Sequence, residues 1–198
     1  SSNGWGWSMQ RLPEAHDILL RDGPVDDFTV AVTVTVHNYA HFLTACLDSV
    51  AAQSYPNLEL VVVDDASQKD ASCALAEAWL KAHADRFLRV LLVRHTHNEG
   101  LAAARNTAFA RSRSRSVFVL DADNSLFPTA LAKLQRALEG SGLGAAYAQL
   151  VHFDGATGLG LADIWHPAFF ARGNYVDAMA LIRRETWARV GGYAPLSG

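Results

Sequence analysis

The sequence predicts an α/β domain built on a mostly parallel sheet, and three observations predict it. Short β-branched and apolar runs alternate with helix-length segments from residue 28 to residue 138. Those runs are near-continuous in Val and Leu, as strands covered on both faces require. Two of them end in acid: residues 58–63 run into Asp64-Asp65, and residues 117–120 run into Asp121-Ala122-Asp123. Carboxylates at such strand ends point out of the sheet edge, where ligands of open α/β folds bind.

Each element follows from its own residues. Residues 1–27 mix Trp5, Trp7, Pro13, Pro24 and several Asp without a clear period. They read as an N-terminal extension or linker, with a short helix over 15–21. Regular order begins at Phe28, and residues 28–36 read as a buried strand. Residues 41–53 carry Phe42, Cys46, Leu47 and Val50 at helical spacing, and the turn Ser54-Tyr55-Pro56-Asn57 stops that helix. A second strand over 58–63 is followed by a helix over 69–83 with Leu75, Ala78, Trp79 and Ala82 on one side. A strand over 87–93, an Ala-rich helix over 101–111 and a strand over 117–120 come next. Pro128 falls in the first turn of a helix over 128–138, where its missing N–H costs least. Beyond Gly140 the pattern loosens. Residues 145–153 read as a strand, 154–158 as a turn and 160–170 as an aromatic-rich loop. A strand over 178–182 and a helix over 184–190, closed by Gly191-Gly192, complete the chain.

Composition narrows the function classes. The 198 residues are 50% hydrophobic with a net charge of −3, so no surplus of Lys and Arg exists to neutralise nucleic-acid phosphates. No apolar stretch approaches the ~20 residues of a membrane span. Cys46 and Cys73 lie in helical segments without a spacing motif. They read as small buried apolar residues in a reducing compartment, hence a cytoplasmic protein, with peripheral membrane association of the full-length protein left open. The chain starts at Ser1, and neither end is read as natural.

The acidic strand ends carry the chemistry. Like charges ~4 Å apart repel by roughly 4 kcal/mol at an effective dielectric near 20, so such a rim must be wet, hydrogen-bonded or holding a cation. A strand-ending turn would satisfy one Asp but not both of Asp121 and Asp123, nor the parallel pair at Asp64 and Asp65. The rim therefore reads as a nucleotide and metal site, with Mn²⁺ or Mg²⁺ held by carboxylates and substrate phosphate. His37 and Asn38 end the first strand on the same rim, where a planar ring can stack on a base.

Other motifs take plainer readings. The glycines of residues 140–145 follow a helix and precede a strand, the reverse of a dinucleotide fingerprint, and read as a loop. The stretch Arg111-Ser112-Arg113-Ser114-Arg115-Ser116 sits at a helix C-terminus and reads as a solvated helix end. His95 and His97 alternate at a strand end, but no third soft ligand lies near them in sequence.

Taken together, the ordered motifs resemble the family 2 glycosyltransferases of the GT-A fold. The carrying residues are Val34-Thr35-Val36-His37-Asn38-Tyr39, Leu47-Asp48-Ser49-Val50, Gln53-Ser54-Tyr55-Pro56-Asn57-Leu58-Glu59 and Val63-Asp64-Asp65-Ala66-Ser67. Asn98-Glu99-Gly100-Leu101-Ala102-Ala103-Ala104-Arg105-Asn106, Leu120-Asp121-Ala122-Asp123-Asn124 and Val190-Gly191-Gly192-Tyr193 follow in the family's order. The resemblance implies a GT-A, Rossmann-like three-layer sandwich over 28–198. Its nucleotide-binding part spans 28–125, and its acceptor-side part begins over 140–198.

The same resemblance implies the site. Thr35, His37, Asn38, Asp65, Arg105, Asp121 and Ala122 would bind the nucleotide, His37 standing where the family usually has a Tyr on the uracil and Asp65 reading the base. Asp121 and Asp123 match the Asp-X-Asp motif that holds the cation, Asp123 as direct ligand and Asp121 nearer the ribose or a metal-bound water. The implied reaction passes a sugar, with inversion, from a nucleotide-diphospho-sugar, UDP-linked by first expectation, to a saccharide or other hydroxyl acceptor. Asn124 stands where many members have a further Asp. The family's catalytic base is expected beyond Gly198, so the fragment alone is expected to be inactive.

Three rivals differ in testable features. A non-catalytic nucleotide-binding module of the same fold would keep the site without the base. A nucleotidyltransferase would carry a Gly-rich first loop bearing Arg or Lys, which is missing. A phosphorelay receiver puts its acidic pair after the first strand and needs a late Lys, whereas no Lys follows Lys133.

Overall fold

The computed structural model describes residues 11–153, 157–160 and 164–194. Its first element departs from the sequence expectation. Ala15–Asp22 is a strand, β1, where a short helix was expected. Its acids do not serve a helix; they reach across the sheet, Asp17 to Arg111 at 2.9 Å and Asp22 to Arg113. Backbone pairing with the strand Arg89–His95, with these ion pairs beside it, sets the conformation of a segment whose own periodicity is weak. Trp5 and Trp7 lie outside the described residues.

Four strands form the parallel core: Val30–Val36 (β2), Leu58–Asp64 (β3), Arg89–His95 (β4) and Ser116–Asp121 (β5). Every residue of β2 and β3 is buried, which is what an uninterrupted apolar run means in a sheet covered on both faces. Three shorter strands follow β5 before the last one: Ala145–Tyr147 (β6), Val151–His152 (β7) and Gly158–Leu159 (β8), with Ala180–Arg183 as β9. The main sheet runs β1-β4-β3-β2-β5-β9-β6, with β1, β9 and β6 antiparallel to their neighbours. The strand expected over 145–153 is broken, because β6 pairs with β9 only as far as Tyr147 opposite Ala180. The chain then leaves the sheet, and β7 pairs with β8 in a separate ladder. Of the expected turn, residues 154–156 lie outside the described residues.

The helices are Ala40–Ala51 (α1), Ser72–His83 (α2), Leu101–Arg111 (α3), Ala130–Leu138 (α4) and Arg184–Val190 (α5). α2 starts three residues later than its composition suggests. Asn38 Oδ1 accepts the N–H groups of Gln68 and Lys69, and Asp70 Oδ1 accepts that of Ser72, so residues 68–70 form a capping loop. Pro128 precedes α4, and its carbonyl accepts the Ser54 N–H at 2.8 Å. Leu43, Leu47, Val50, Leu80, Leu131 and Leu138 cover one sheet face, against Val32, Val34, Leu60 and Val62. Ala104, Ala108, Phe109 and Trp187 cover the other, against Val61, Val63, Val117 and Val119. Alternate residues of one strand thus feed different layers, giving an α/β/α sandwich.

The Arg-Ser stretch after α3 is more than a solvated helix end. Its serines 112, 114 and 116 are buried, while Arg111 and Arg113 pair with β1. Ser114 Oγ, Ser114 N–H and Arg113 N–H donate to the buried Glu59 carboxylate, which also pairs with Arg89. The connections from β2 to β3 to β4 step one way across the sheet, whereas β5 lies on the other side of β2. That reversal opens a crevice at the carboxyl ends of β2 and β5.

Candidate functional site

A cleft of about 360 Å³ occupies the crevice. The end of β2 supplies Thr35, Val36 and His37, the residue after β3 supplies Asp65, and the end of β5 supplies Asp121, Ala122 and Asp123. The loop into α3 and its first turns supply Asn98, Gly100, Leu101 and Ala104, and Tyr39 closes one side.

The two acidic pairs contribute three cleft carboxylates. Asp64 is the last residue of β3, and its side chain is wholly buried, 3.5 Å from Arg94 Nε. Asp65 reaches the cleft. Its Oδ1 accepts His95 Nδ1–H at 2.7 Å and the Glu99 N–H at 2.9 Å, and its Oδ2 accepts the Gly100 N–H at 2.8 Å. Burial alone would raise its pKa, but these hydrogen bonds prevail and hold it below the usual carboxylate range. The carboxylate also sits at the N-terminus of α3, where the helix dipole favours an anion. Gly100, which precedes α3, has φ +86°, a left-handed value that an L side chain adopts only under strain. Oδ2 retains acceptor capacity toward a ligand N–H.

Asp121 and Asp123 differ sharply. Arg105 Nη2 bridges both Asp121 oxygens at 2.8 and 2.9 Å, and its guanidinium lies 5.5 Å from the centre of the Tyr193 ring. Burial pushes the Tyr193 phenol up to about 12, with Arg105 opposing and Asp121 adding to the shift. Asp123 is exposed, and Asn124 Nδ2 donates to its Oδ1 at 3.0 Å. Ala122 is buried, so its side chain anchors the motif while its two neighbours point outward. Among the described residues, no three His, Cys, Asp or Glu side chains gather into a set that could hold a metal alone. A cation here would draw one or two ligands from Asp123 and Asp121, and the rest from phosphate and water. That donor set suits Mg²⁺ or Mn²⁺.

The remaining sequence candidates divide. Thr35 lines the cleft, and its Oγ1 is buried with no hydrogen-bond partner, an oxygen that a ligand could satisfy. His37 lines the cleft, its Nδ1 2.6 Å from the Asp65 carbonyl. Arg105 stands behind Asp121. Asn38 does not line the cleft: its φ is +57°, its Oδ1 accepts the N–H groups of Gln68 and Lys69, and its Nδ2 lies 2.7 Å from His37 Nε2 behind the lining. Sequence reasoning gave no role to Asn98, Gly100 or His95. His95 is buried between Asp65 and Thr107 Oγ1 and holds the Asp65 carboxylate in place, while His97 meets Thr96 Oγ1. The motif holding Asn98 and Gly100 was visible, but the hydrogen bonds that give it meaning are tertiary.

A family model described as "Glycosyl transferase family 2" matches residues 31–197. The chain belongs to this family. As a family 2 glycosyl transferase it is 38% identical over 100 residues to glycosyltransferase GlyA of Streptococcus pneumoniae, covering 50% of this chain and 13% of that protein. It is 32% identical over 116 residues to the hyaluronan synthase of Streptococcus pyogenes, covering 58% of this chain and 28% of that one. The family's GT-A fold is seen in a mannosyltransferase from Pyrobaculum calidifontis solved with GDP-Man and Mn²⁺ (TM-score 0.62, 28% identity, 83% of this chain and 47% of that one). TarS of S. aureus, solved with UDP-GlcNAc, shares the fold (TM-score 0.69, 17% identity, 84% and 48%). This family 2 chain thus spans about half the length of these solved structures. No helix among its described residues is long and apolar enough to cross a membrane.

Proposed function

We propose that this chain binds a nucleotide-diphospho-sugar, UDP-linked by first expectation, together with Mn²⁺ or Mg²⁺, and serves its transfer with inversion to a saccharide or other hydroxyl acceptor. One observation carries the reading. The cleft at the sheet's switch point joins a wall of Thr35, His37 and Asp65 to the acidic pair Asp121 and Asp123.

The residues take separate tasks. His37 stacks on the base, Asp65 Oδ2 accepts a base N–H, and Thr35 Oγ1 finds in the ligand the partner it lacks in the protein. Asp123 holds the cation, and Asp121, steadied by Arg105, faces the ribose or a cation-bound water. The cation, when bound, neutralises the charge that develops on the diphosphate leaving group. Arg105 keeps Asp121 from adding a full unpaired charge beside an anionic donor. No general base is assigned. Asp177 accepts the Met179 N–H, and Asp163 lies outside the described residues. The complexes of the mannosyltransferase with GDP-Man and Mn²⁺ and of TarS with UDP-GlcNAc support this ligand class.

A thermal-shift screen of nucleoside diphosphates with Mn²⁺ tests the reading. One base raises the midpoint by several degrees when the ligand is far above its Kd. Identical midpoints for every nucleotide, at millimolar ligand, would refute it.

A further inference from the structure

We propose that Tyr193 is a positioning residue for the acidic motif: the face of its ring backs the Arg105 guanidinium, which then holds Asp121 at the cleft in one neutralised position. The ligand in this proposal rests on the nucleotide-binding reading above. The contact between ring and guanidinium does not.

The grip on Asp121 is narrow. Asp121 is the last residue of β5, and both of its carboxylate oxygens are bonded by a single nitrogen, Arg105 Nη2. A two-nitrogen fork would fix the orientation of the pair by its own geometry. One nitrogen leaves the guanidinium free to pivot about it. Arg105 Nε offers no second anchor, because it is buried and meets no acceptor among the described residues. The Tyr193 ring is what stops the pivot. Its centre lies 5.5 Å from the guanidinium carbon, inside the ~6 Å reach of a cation–π contact. The Arg105 side chain is only 12% exposed, and such contacts strengthen when they are shielded from water.

The ring is itself held by the helix that carries Arg105. Asn106, the next residue of α3, accepts the Tyr193 N–H at 2.8 Å through Oδ1 and donates from Nδ2 to the Tyr193 carbonyl at 2.9 Å. Phe109, one turn further along α3, packs against the ring with centres 5.9 Å apart. The hydroxyl takes no part. It is buried without a hydrogen-bond partner among the described residues, whereas a buried phenol usually finds one. What this side chain supplies is therefore its face. Tyr193 is also absent from the cleft lining, so its influence on a ligand passes through Arg105.

Without the ring, Arg105 keeps its charge but loses its seat. Asp121 then spends time unpaired beside an anionic donor, and its carboxylate has to be ordered when donor and cation arrive. Both effects weaken donor binding.

A double-mutant cycle tests the proposal, with UDP affinity in Mn²⁺ measured by calorimetry and folding checked by circular dichroism. Tyr193→Phe keeps the face and binds within about twofold of the parent, while Tyr193→Leu weakens binding about threefold to tenfold. In an Arg105→Met background, Tyr193→Leu has no further effect, because the ring acts through Arg105. An equal loss in both backgrounds overturns the proposal, as does a Tyr193→Phe variant that binds as poorly as Tyr193→Leu. Guanidinium ¹⁵N NMR of the nucleotide-free protein provides a second arm. The two Arg105 Nη signals are separate in the parent and in Tyr193→Phe, where rotation is blocked, and merge in Tyr193→Leu. Merged signals in the parent also overturn the proposal. A held guanidinium in a protein that binds no nucleotide upholds the contact and sinks the functional reading alone.

Discussion

Asp65 concentrates the most chemistry of any single side chain here, and its protonation is open to measurement. Its carboxyl is held below its ordinary value, chiefly against the effect of burial, by His95 and the N–H groups of Glu99 and Gly100. A depressed folded-state pKa stabilises the protein fully above the unfolded value of ~3.9, and that contribution disappears as pH falls through the folded value. Urea unfolding of Asp65→Asn should therefore show less loss of stability than the parent on acidification from about pH 5 to about pH 3. Parallel pH curves for the two proteins would contradict this. At the acidic motif the expectation concerns a ligand. Asp123 is exposed and bound only loosely to its neighbour, so Asp123→Asn should leave the melting temperature within about 1 °C and weaken Mn²⁺-dependent nucleotide binding at least about tenfold.

Between elements, two brackets hold the frame, one beside the site and one at the opposite end of the strands. Asn106 in α3 accepts the N–H groups of Trp187 Nε1 and Tyr193 through Oδ1, and donates from Nδ2 to the Tyr193 carbonyl. These bonds seat the Tyr193 ring on Arg105, which grips Asp121. Gly192 has no room for a side chain: a Cβ would lie 2.6 Å from Asn106 Oδ1, at a φ of +84°. Gly192→Ala should cost about 1–3 kcal/mol in chemical denaturation, from the strained backbone and the displaced amide. The second bracket is Arg86, whose guanidinium donates to the carbonyls of Ala51, Gln53, Tyr55 and Pro56. Arg86→Ala strips four carbonyls at the end of α1, and should lower stability by about 1–3 kcal/mol with nucleotide affinity unchanged in the folded protein.

At the same scale lies the boundary between what the residues announced and what they did not. α3 was legible to the residue, because Gly100 precedes its Ala-rich run and Arg111 closes it. β2 and β3 were legible because uninterrupted Val, Leu and Thr leave little alternative to a strand covered on both faces. β1 was not, since Ala15–Asp22 is only half buried and its conformation is set by β4 and by arginines from the end of α3. Likewise the acidic strand ends declared the cleft. The His95 and Asn98 contacts that shape it join residues 30 and 61 positions apart, and no local pattern records them.

For the molecule as a whole, two ends of one sheet divide the work. The amino end of β3 buries Glu59 against Arg89, Arg113 N–H and Ser114, where removal of one partner strands a charge in the interior. The carboxyl end leaves Asp65, Asp121 and Asp123 facing a cleft, where the proposed function gives their charge a ligand to meet. The order β4-β3-β2-β5 places that cleft where the connections reverse direction, so topology chooses the location and strand-end residues choose the chemistry. The most direct measurement is calorimetric titration of UDP into this protein with Mn²⁺ present and again with excess chelator. Saturable binding in Mn²⁺ that weakens at least about tenfold under chelator is the predicted result. Equal affinity under both conditions, or heat of dilution alone with UDP and every other nucleoside diphosphate, contradicts it.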